Sequence, residues 1–235
     1  MKTFINLVAT RCKNGDHTTL LRWYNDHVHI LMGFDGLQRA ALYRCAADCN
    51  AEGDAAAPEY ICLYDFASQA DFNAFEVGSP REQARQILLG GWGKDGIEIT
   101  QRSQFRRLGA RVESNSVAAS DGLWHVQSLR LGAGPVAGVA RWLGDSLHRA
   151  LDATSIAAAT GQLAWHRAAD ANDAGGGALV MVQTENTQAL APSPLPPDWW
   201  LGDADNAGQE TWGQAPASTA IAWAAPYRQL CVWGR

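Results

Sequence analysis

Residues 22–29 read RWYNDHVH, and most of this stretch returns at residues 141–148 as RWLGDSLH. Arg, Trp, Asp and the final His keep identical spacing in the two copies, which lie about 119 residues apart. Four identities within eight positions, one of them a tryptophan, favour a duplicated domain over chance. The repeat predicts an architecture, whereas the function has to be sought in the residues around it.

A helical projection divides the first copy into two faces. At about 100° per residue, His27 falls about 40° from Trp23, in the middle of the apolar face. Arg22, Asp26 and His29 fall on the opposite side of the helix. We expect this outer trio to form a solvated or interface face, and its recurrence in the second copy suits a shared fold rather than catalysis.

His27 is the candidate for chemistry. Its counterpart in the second copy is Ser146, so the repeat does not keep it. A histidine that faces a core needs hydrogen-bond partners for its ring nitrogens, or a cavity. Two interpretations stay open: a core histidine bonded to a backbone carbonyl, or a general acid or base whose burial tunes its pKa.

Composition limits the classes of protein to be considered. The chain has 235 residues, 47% hydrophobic and 18% charged, which predicts one large folded domain or two smaller ones. A net charge of −5 without a Lys/Arg stripe argues against a nucleic-acid partner. The densest basic run, residues 102–107, alternates as a strand would and is expected to be a solvated face.

The same data predict the compartment. No run approaches the roughly 18 apolar residues of a membrane span, and the start does not read as a signal peptide. Five cysteines without a CxxC pair predict reduced thiols, no metal site and a cytoplasmic protein.

The first half of the chain predicts one ferredoxin-like unit. Its elements follow the order β-α-β-β-α-β of that unit. The strands are predicted at 3–11, 37–45, 59–66 and 97–108, with helices beginning at Asp16, Ser68 and Ser79. Asp16 and Ser68 are predicted N-caps, and Ser79 is predicted to cap a helix that has Pro80 at its first position.

The second half predicts a diverged copy. Strands are predicted at 123–131, 157–168, 178–185 and 217–233, with a helix over 136–153. A Pro-rich segment at 191–197 and a loop containing Trp199, Trp200 and Trp212 replace the second helix. The predicted organisation is therefore α+β, with units at 1–110 and 122–235 joined by a linker at 111–121.

Several motifs of the first unit resemble a known family. Trp23-Tyr24-x-x-His27-Val28, the turn around Gly36, Leu42-Tyr43-Arg44 and Tyr64-Asp65-Phe66 are similar to the EthD-like branch of the dimeric α/β-barrel superfamily. The resemblance covers about residues 3–108, and Asp35-Gly36 replaces the Pro-Gly of that branch.

The resemblance implies two ferredoxin-like sheets set face to face in a barrel. Most members need a homodimer for this, whereas here one chain would supply both halves as a pseudo-dimer, with a further homodimer left open. Members include cofactor-free monooxygenases, cyclases, isomerases, stress-response proteins and haem enzymes, so the fold does not fix the function.

Two function hypotheses follow. The first is a cofactor-free enzyme acting on a small apolar or aromatic molecule held between the first sheet and its helices, with His27 as acid or base. The residues expected to line this pocket are Asn6, Trp23, Tyr43 and Tyr64. The second is a non-catalytic binding or stress-associated module with the same cavity, and for each aromatic residue plain core packing is the simpler interpretation.

Haem binding ranks last among the functions considered. Its candidate ligands would be His125, His148 or His166, and nothing in the sequence singles one out. Gly91–Gly96 is interpreted as a turn into the fourth strand. The surroundings of His27 distinguish the two leading hypotheses: an open cavity with a second polar group favours the enzyme, and a dry core with a carbonyl partner favours packing.

Overall fold

The structure is a computed structural model that describes residues 4–46, 57–107, 112–113, 123–131, 156–164, 176–184 and 220–234. The predicted helix at 136–153, with the second copy of the repeated stretch, lies outside these residues, as does the predicted Trp-rich loop. The chain forms two compact units. One contains residues 1–45, 58–105 and 229–235, and the other contains residues 46–57 and 106–228.

The first unit follows the predicted order of elements, and its fold is α+β. Its strands are β1 (Phe4–Cys12), β2 (Leu37–Cys45), β3 (Tyr60–Phe66) and β4 (Ile97–Arg107). Its helices are α1 (His17–Leu31), α2 (Gln69–Glu76), α3 (Ser79–Leu89) and the short α4 (Gly91–Gly96). The segment interpreted as a turn into the fourth strand is thus a short helix.

The sheet of the first unit has the strand order β4-β1-β3-β2. β3 pairs antiparallel with β1 and with β2, and Asn6 lies opposite Tyr64. Because side chains alternate along a strand, Asn6 and Thr10 share one face of the sheet with Tyr64. We call this the helix face, since Thr10 bonds to Tyr24 of α1 and Phe4, two residues from Asn6, packs against Phe72 of α2.

The opposite face of this sheet is also buried. Leu7 and Ile61 belong to it and are fully inaccessible to solvent. Two buried faces give nearly continuous hydrophobic strands, so the hydrophobic pattern alone does not tell which residues face the helices.

A β-bulge in β2 reverses the facing of its later residues. Leu37 lies opposite Phe66, yet Arg39 lies opposite Asp65, so two steps in β2 correspond to one in β3. Each extra residue moves the following side chains to the other face. Tyr43 therefore shares its face with Arg39, away from the helices.

Helix α1 is anchored at its start and along its buried face. Asp16 caps it, its carboxylate accepting a hydrogen bond from the Thr19 N–H at 3.0 Å. Tyr24 is buried and its hydroxyl shares a hydrogen bond with Thr10 Oγ1 at 2.9 Å. The predicted facing is confirmed, because the outer residues Arg22, Asp26 and His29 are exposed.

The two following helices differ in how they begin. Ser68 caps α2 as predicted, its hydroxyl accepting from the Asp71 N–H at 3.1 Å. The cap predicted at Ser79 is wrong: Ser79 is the first helical residue of α3, and Gly78 holds the cap position without a side-chain bond.

The second unit contains strands at the positions predicted for them. They are β6 (Leu123–Leu131), β7 (Ile156–Ala164) and β8 (Gly176–Thr184), preceded by the two-residue β5 (Val112–Glu113) and followed by β9 (Ala220–Gly234), of which residues 229–234 belong to the first unit. β6 pairs antiparallel with β8 and with β9, and β7 with β8.

The structure bears on two predictions made from the sequence, the redox state of the cysteines and the absence of a membrane span. Cys45 is disulfide-bonded, so the prediction that every thiol is reduced is wrong for this residue. Cys12, Cys62 and Cys231 are free. Among the described residues, no helix has both the length and the hydropathy that a membrane crossing requires.

The Asp16 cap gives a direct test of the placement of α1. Replacing Asp16 with Ala leaves the Thr19 N–H without its side-chain acceptor and is expected to lower the free energy of unfolding, as the loss of an N-cap side chain does. Urea denaturation measures this change. Asp26→Ala is the matched control, since Asp26 is exposed in mid-helix, and an equal loss in that variant would contradict a capping role.

Candidate functional site

A cavity of about 370 Å³ lies in the first unit, between the helix face of the sheet and helices α1, α2 and α3. This is the place at which the sequence predicted a pocket. Its size falls in the range of small-molecule sites in proteins. The apolar part of its wall is formed by Val8, Leu31, Phe75, Leu88, Ile97 and Ile99. The polar side chains in the wall include Asn6, Thr10, Tyr24, His27, Tyr64, Glu76, Arg81, Arg85 and Arg102.

His27 reaches this cavity from α1 and is held by an aromatic stack. Its ring lies on the indole of Trp23, with centroids 4.4 Å apart and planes inclined by 20°. The Nδ1 atom is buried and has no hydrogen-bond partner among the described residues. The packing on Trp23 fixes the ring, so His27 presents a defined edge to its surroundings.

The pKa of His27 lies far below its ordinary value. Burial removes water from the ring and lowers its pKa to about 4, and the Arg102 charge adds to this effect. A hydrogen bond that the ring donates to the Ala84 backbone opposes the shift. The imidazole is therefore neutral at pH 7, the form that can accept a proton.

The surroundings of His27 combine features of both sequence interpretations. The ring borders a cavity, as the functional interpretation requires, and it also contacts a backbone carbonyl, as the packing interpretation requires. No side chain in the described part of the chain hydrogen-bonds the ring.

The packing of the Trp23 indole depends on a glycine of the short helix α4. A Cβ atom at Gly93 would lie 2.9 Å from the indole nitrogen of Trp23, closer than real Cβ atoms approach. The indole nitrogen is itself buried without a hydrogen-bond partner among the described residues. The absence of a side chain at position 93 thus lets α4 close against Trp23 and support the stack.

The tyrosine hydroxyls of the cavity are already engaged. Tyr24 bonds to Thr10, and Tyr64 donates to the Cys62 thiol. Burial raises the pKa of Tyr24 and of Tyr64. Both phenols therefore stay protonated, and to steady an anion Tyr64 would have to give up the hydrogen bond that it donates to Cys62.

Two polar groups of the wall are uncommitted. Asn6 and Arg102 make no side-chain hydrogen bond within the described ranges. By contrast, Arg81 pairs with Glu76 at 2.7 Å, and Arg85 contacts a second acidic residue at 3.4 Å. The amide of Asn6 can donate and accept, and Arg102 offers five N–H donors with a permanent positive charge.

The sequence-predicted pocket residues separate into two groups. Asn6, Trp23, His27 and Tyr64 line the cavity. Tyr43 does not, because the bulge in β2 turns it to the opposite face of the sheet. There it hydrogen-bonds Arg39, which lies 3.5 Å from Asp65.

The sequence did not predict the basic residues of the wall. Arg102 lies in the alternating run predicted to be a solvated face, and it is exposed. An exposed residue at the end of a cavity and one on an open surface have the same sequence pattern. The pairing of β4 with β1 in the sheet brings Arg102 to this wall, and the charge pattern alone does not show that pairing.

The candidate haem ligands lie elsewhere. His125 is a buried residue of β6 in the second unit and is not part of the cavity wall. His148 and His166 lie outside the described residues. His27 is thus the histidine that the structure places at the described cavity.

Comparison with known proteins identifies the fold. No protein-family profile matches this chain, and no curated protein matches it in sequence. An anthrone oxidase-like protein superposes with a TM-score of 0.59 at 10% identity, covering 99% of this chain and 93% of that one. A "putative monooxygenase" from Lactobacillus acidophilus gives 0.57 at 6% identity, covering 100% and 97%.

A chlorite dismutase variant from Candidatus Nitrospira defluvii also matches, with a TM-score of 0.54, 7% identity and coverage of 97% and 91%. At such low identities these similarities show the fold alone. They extend over nearly the whole length of both chains.

The lowered pKa of His27 predicts a pH-dependent stability. Between about pH 4 and the ordinary value of 6.5, the unfolded chain binds a proton at His27 that the folded chain does not. Stability therefore rises with pH through this window, and up to about 3 kcal/mol is lost as pH falls across it.

His27→Gln removes this titration, so its free energy of unfolding should vary less between pH 4 and 6.5 than that of the parent. Urea denaturation at a series of pH values measures the difference. His29→Gln is the control on the exposed face of the same helix. Parallel curves for the parent and His27→Gln would contradict the burial of a neutral ring.

Proposed function

We propose that the cavity of the first unit binds a small, mostly apolar or aromatic molecule, and that the protein is a cofactor-free enzyme of the monooxygenase type with His27 as its base. The observation that carries the proposal is a neutral, desolvated imidazole stacked in the wall of a largely apolar cavity. Two proteins of similar fold, an anthrone oxidase-like protein and a "putative monooxygenase", have names that agree with this class of reaction.

The proposal includes the finer architecture inferred from the sequence. In this view the chain is an EthD-like tandem of ferredoxin-like units, 1–110 and 122–235, that forms a barrel as an intrachain pseudo-dimer. The repeated stretch supports a duplication, and the coverage of whole solved chains is compatible with it. A cytoplasmic location and the lack of a nucleic-acid partner belong to the same proposal.

Anthrone illustrates the chemistry that this wall suits. Neutral His27 takes a proton from the acidic ring carbon, and the electron pair left behind makes an enolate. The enolate carbon reacts with dioxygen and, with one proton, gives a hydroperoxide. The hydroperoxide then loses water: the remaining hydrogen leaves the carbon that bears the hydroperoxide, the O–O bond breaks, and a carbonyl group forms. One anthrone and one dioxygen thus give one anthraquinone and one water.

His27 is a weak base, so it can take the proton only if the enolate anion forms beside its ring. The pKa of His27 is low because its charged form is poorly solvated, and a neighbouring enolate supplies the missing stabilisation. The positive charge of Arg102 and the amide of Asn6 are available to the developing oxyanion. The residues of the wall would thus hold the substrate, accept its proton and steady its negative charge.

A second candidate function rests on a specific observation. His27 already has a backbone partner in Ala84, and the tyrosine hydroxyls are already bonded. A histidine and tyrosines whose hydrogen bonds are already made within the protein suit a module that binds an apolar ligand without converting it. The two functions share the cavity and differ only in turnover.

Oxygen uptake with anthrone as substrate tests the proposal. His27→Gln should lower kcat/KM about a hundredfold, because general-base catalysis contributes at least that much. His29→Gln should retain the parent rate. In the parent, kcat/KM should stay level as pH falls and decline only near pH 4, where His27 becomes protonated. Equal rates in both variants would contradict the role of His27, and binding without uptake would support the second function.

Absorption spectroscopy tests the expectation that no cofactor is needed. Protein purified from cells supplied with a haem precursor should show no Soret band. His27 is the histidine that lines the described cavity, and its ring is already stacked on Trp23 and hydrogen-bonded to the Ala84 backbone. A stoichiometric Soret band would overturn the cofactor-free mechanism and favour haem binding.

A further inference from the structure

The cavity has a charge opposite to that of the chain. Three arginines and one glutamate lie in its wall, whereas the chain as a whole carries a net charge of −5. These residues are Arg81, Arg85, Arg102 and Glu76. A local excess of positive charge in an acidic protein attracts anions to that place.

Only one of these arginines is uncompensated. Arg81 is paired with Glu76 across 2.7 Å, and Arg85 with Glu82 across 3.4 Å. Arg102 forms no ion pair with any acidic side chain that the structure describes. Its charge nevertheless reaches the interior, because it lowers the pKa of His27 and opposes the rise in the pKa of Tyr64.

The remainder of the wall suits a flat apolar body. The stacked rings of Trp23 and His27 provide an aromatic surface, and aliphatic side chains of α1, α3 and β4 surround it. Aromatic molecules bind such surfaces by offset stacking or edge contacts. The exposed position of Arg102 places the positive charge at the solvent side of the wall.

We propose that the ligand of this cavity is an aromatic molecule bearing an acidic group, with the anion held at Arg102 and the ring system against the Trp23–His27 stack. The inference rests on the cavity of the proposed function and names the class of molecule that fills it. A guanidinium group forms paired hydrogen bonds with a carboxylate or sulfonate, which favours Arg102 as the anion contact.

Two fluorescent probes with one scaffold test the charge preference. 1-Anilinonaphthalene-8-sulfonate and N-phenyl-1-naphthylamine differ by the sulfonate alone, and both brighten in apolar surroundings. Titration of the full-length protein should give a lower Kd for the sulfonate, by about three- to tenfold at low ionic strength. Because Arg102 is exposed, this ratio should shrink as salt is added.

Variants at position 102 locate the contact. Arg102→Gln should weaken binding of the sulfonate by the same factor and leave the neutral probe unchanged, whereas Arg102→Lys should keep part of the preference. Arg22→Gln is the matched control, because it removes one positive charge from an exposed site on the outer face of α1. Its binding of both probes should equal that of the parent.

The outcomes separate this inference from the proposed function. Equal affinity for both probes, unaffected by Arg102→Gln, would overturn the anion preference and leave an apolar cavity in place. A sulfonate preference that Arg22→Gln reduces as much as Arg102→Gln would assign it to the general field and overturn the Arg102 contact. If neither probe binds in a manner sensitive to Trp23→Ala, the cavity itself, and with it the proposed function, is contradicted.

Discussion

The antiparallel pairing of β1 with β3 is the constraint on which the candidate site depends. It sets Asn6 opposite Tyr64 and directs both side chains toward the helices. A shift of one residue in this register would send both to the other face of the sheet. The Thr10–Tyr24 hydrogen bond then fixes α1 above the same face, and α1 brings His27 to the cavity. The register of β1 and β3 thus determines which side chains face the cavity.

The sequence predicted the part of the site that helical periodicity encodes. The spacing of Trp23, Tyr24 and His27 relative to Arg22 divided α1 into an inner and an outer face, and the burial of the helix agrees with that division. One side of such a helix faces water, so the spacing of its apolar and polar residues indicates which way each residue points. The order of strands and helices in the first unit followed from similar signals, namely alternation, caps and turn residues.

The sequence did not predict the facing of Tyr43, and the reason is physical. Both faces of the sheet are buried, so alternation between apolar and polar residues is absent in β2. Without the bulge, counting from Leu37 by twos would place Tyr43 on the helix face, the face that Leu37 shares with Phe66. The bulge between Leu37 and Arg39 inserts one residue and reverses this count. Nothing in the composition of β2 marks that insertion.

Electrostatics links the two residues that dominate the wall. Burial and the charge of Arg102 both keep His27 neutral in the free protein, which prepares it as a proton acceptor. An anion bound at Arg102 would compensate that charge and supply a negative neighbour, and each change favours the protonated imidazole. Ligand binding and proton uptake by His27 would then be coupled, because the same desolvation that makes the free imidazole a weak base strengthens its attraction to a bound anion. A cavity with its cation at the open side and its base in the stacked interior is therefore arranged to draw in an acidic aromatic molecule and to gain basicity as that molecule enters.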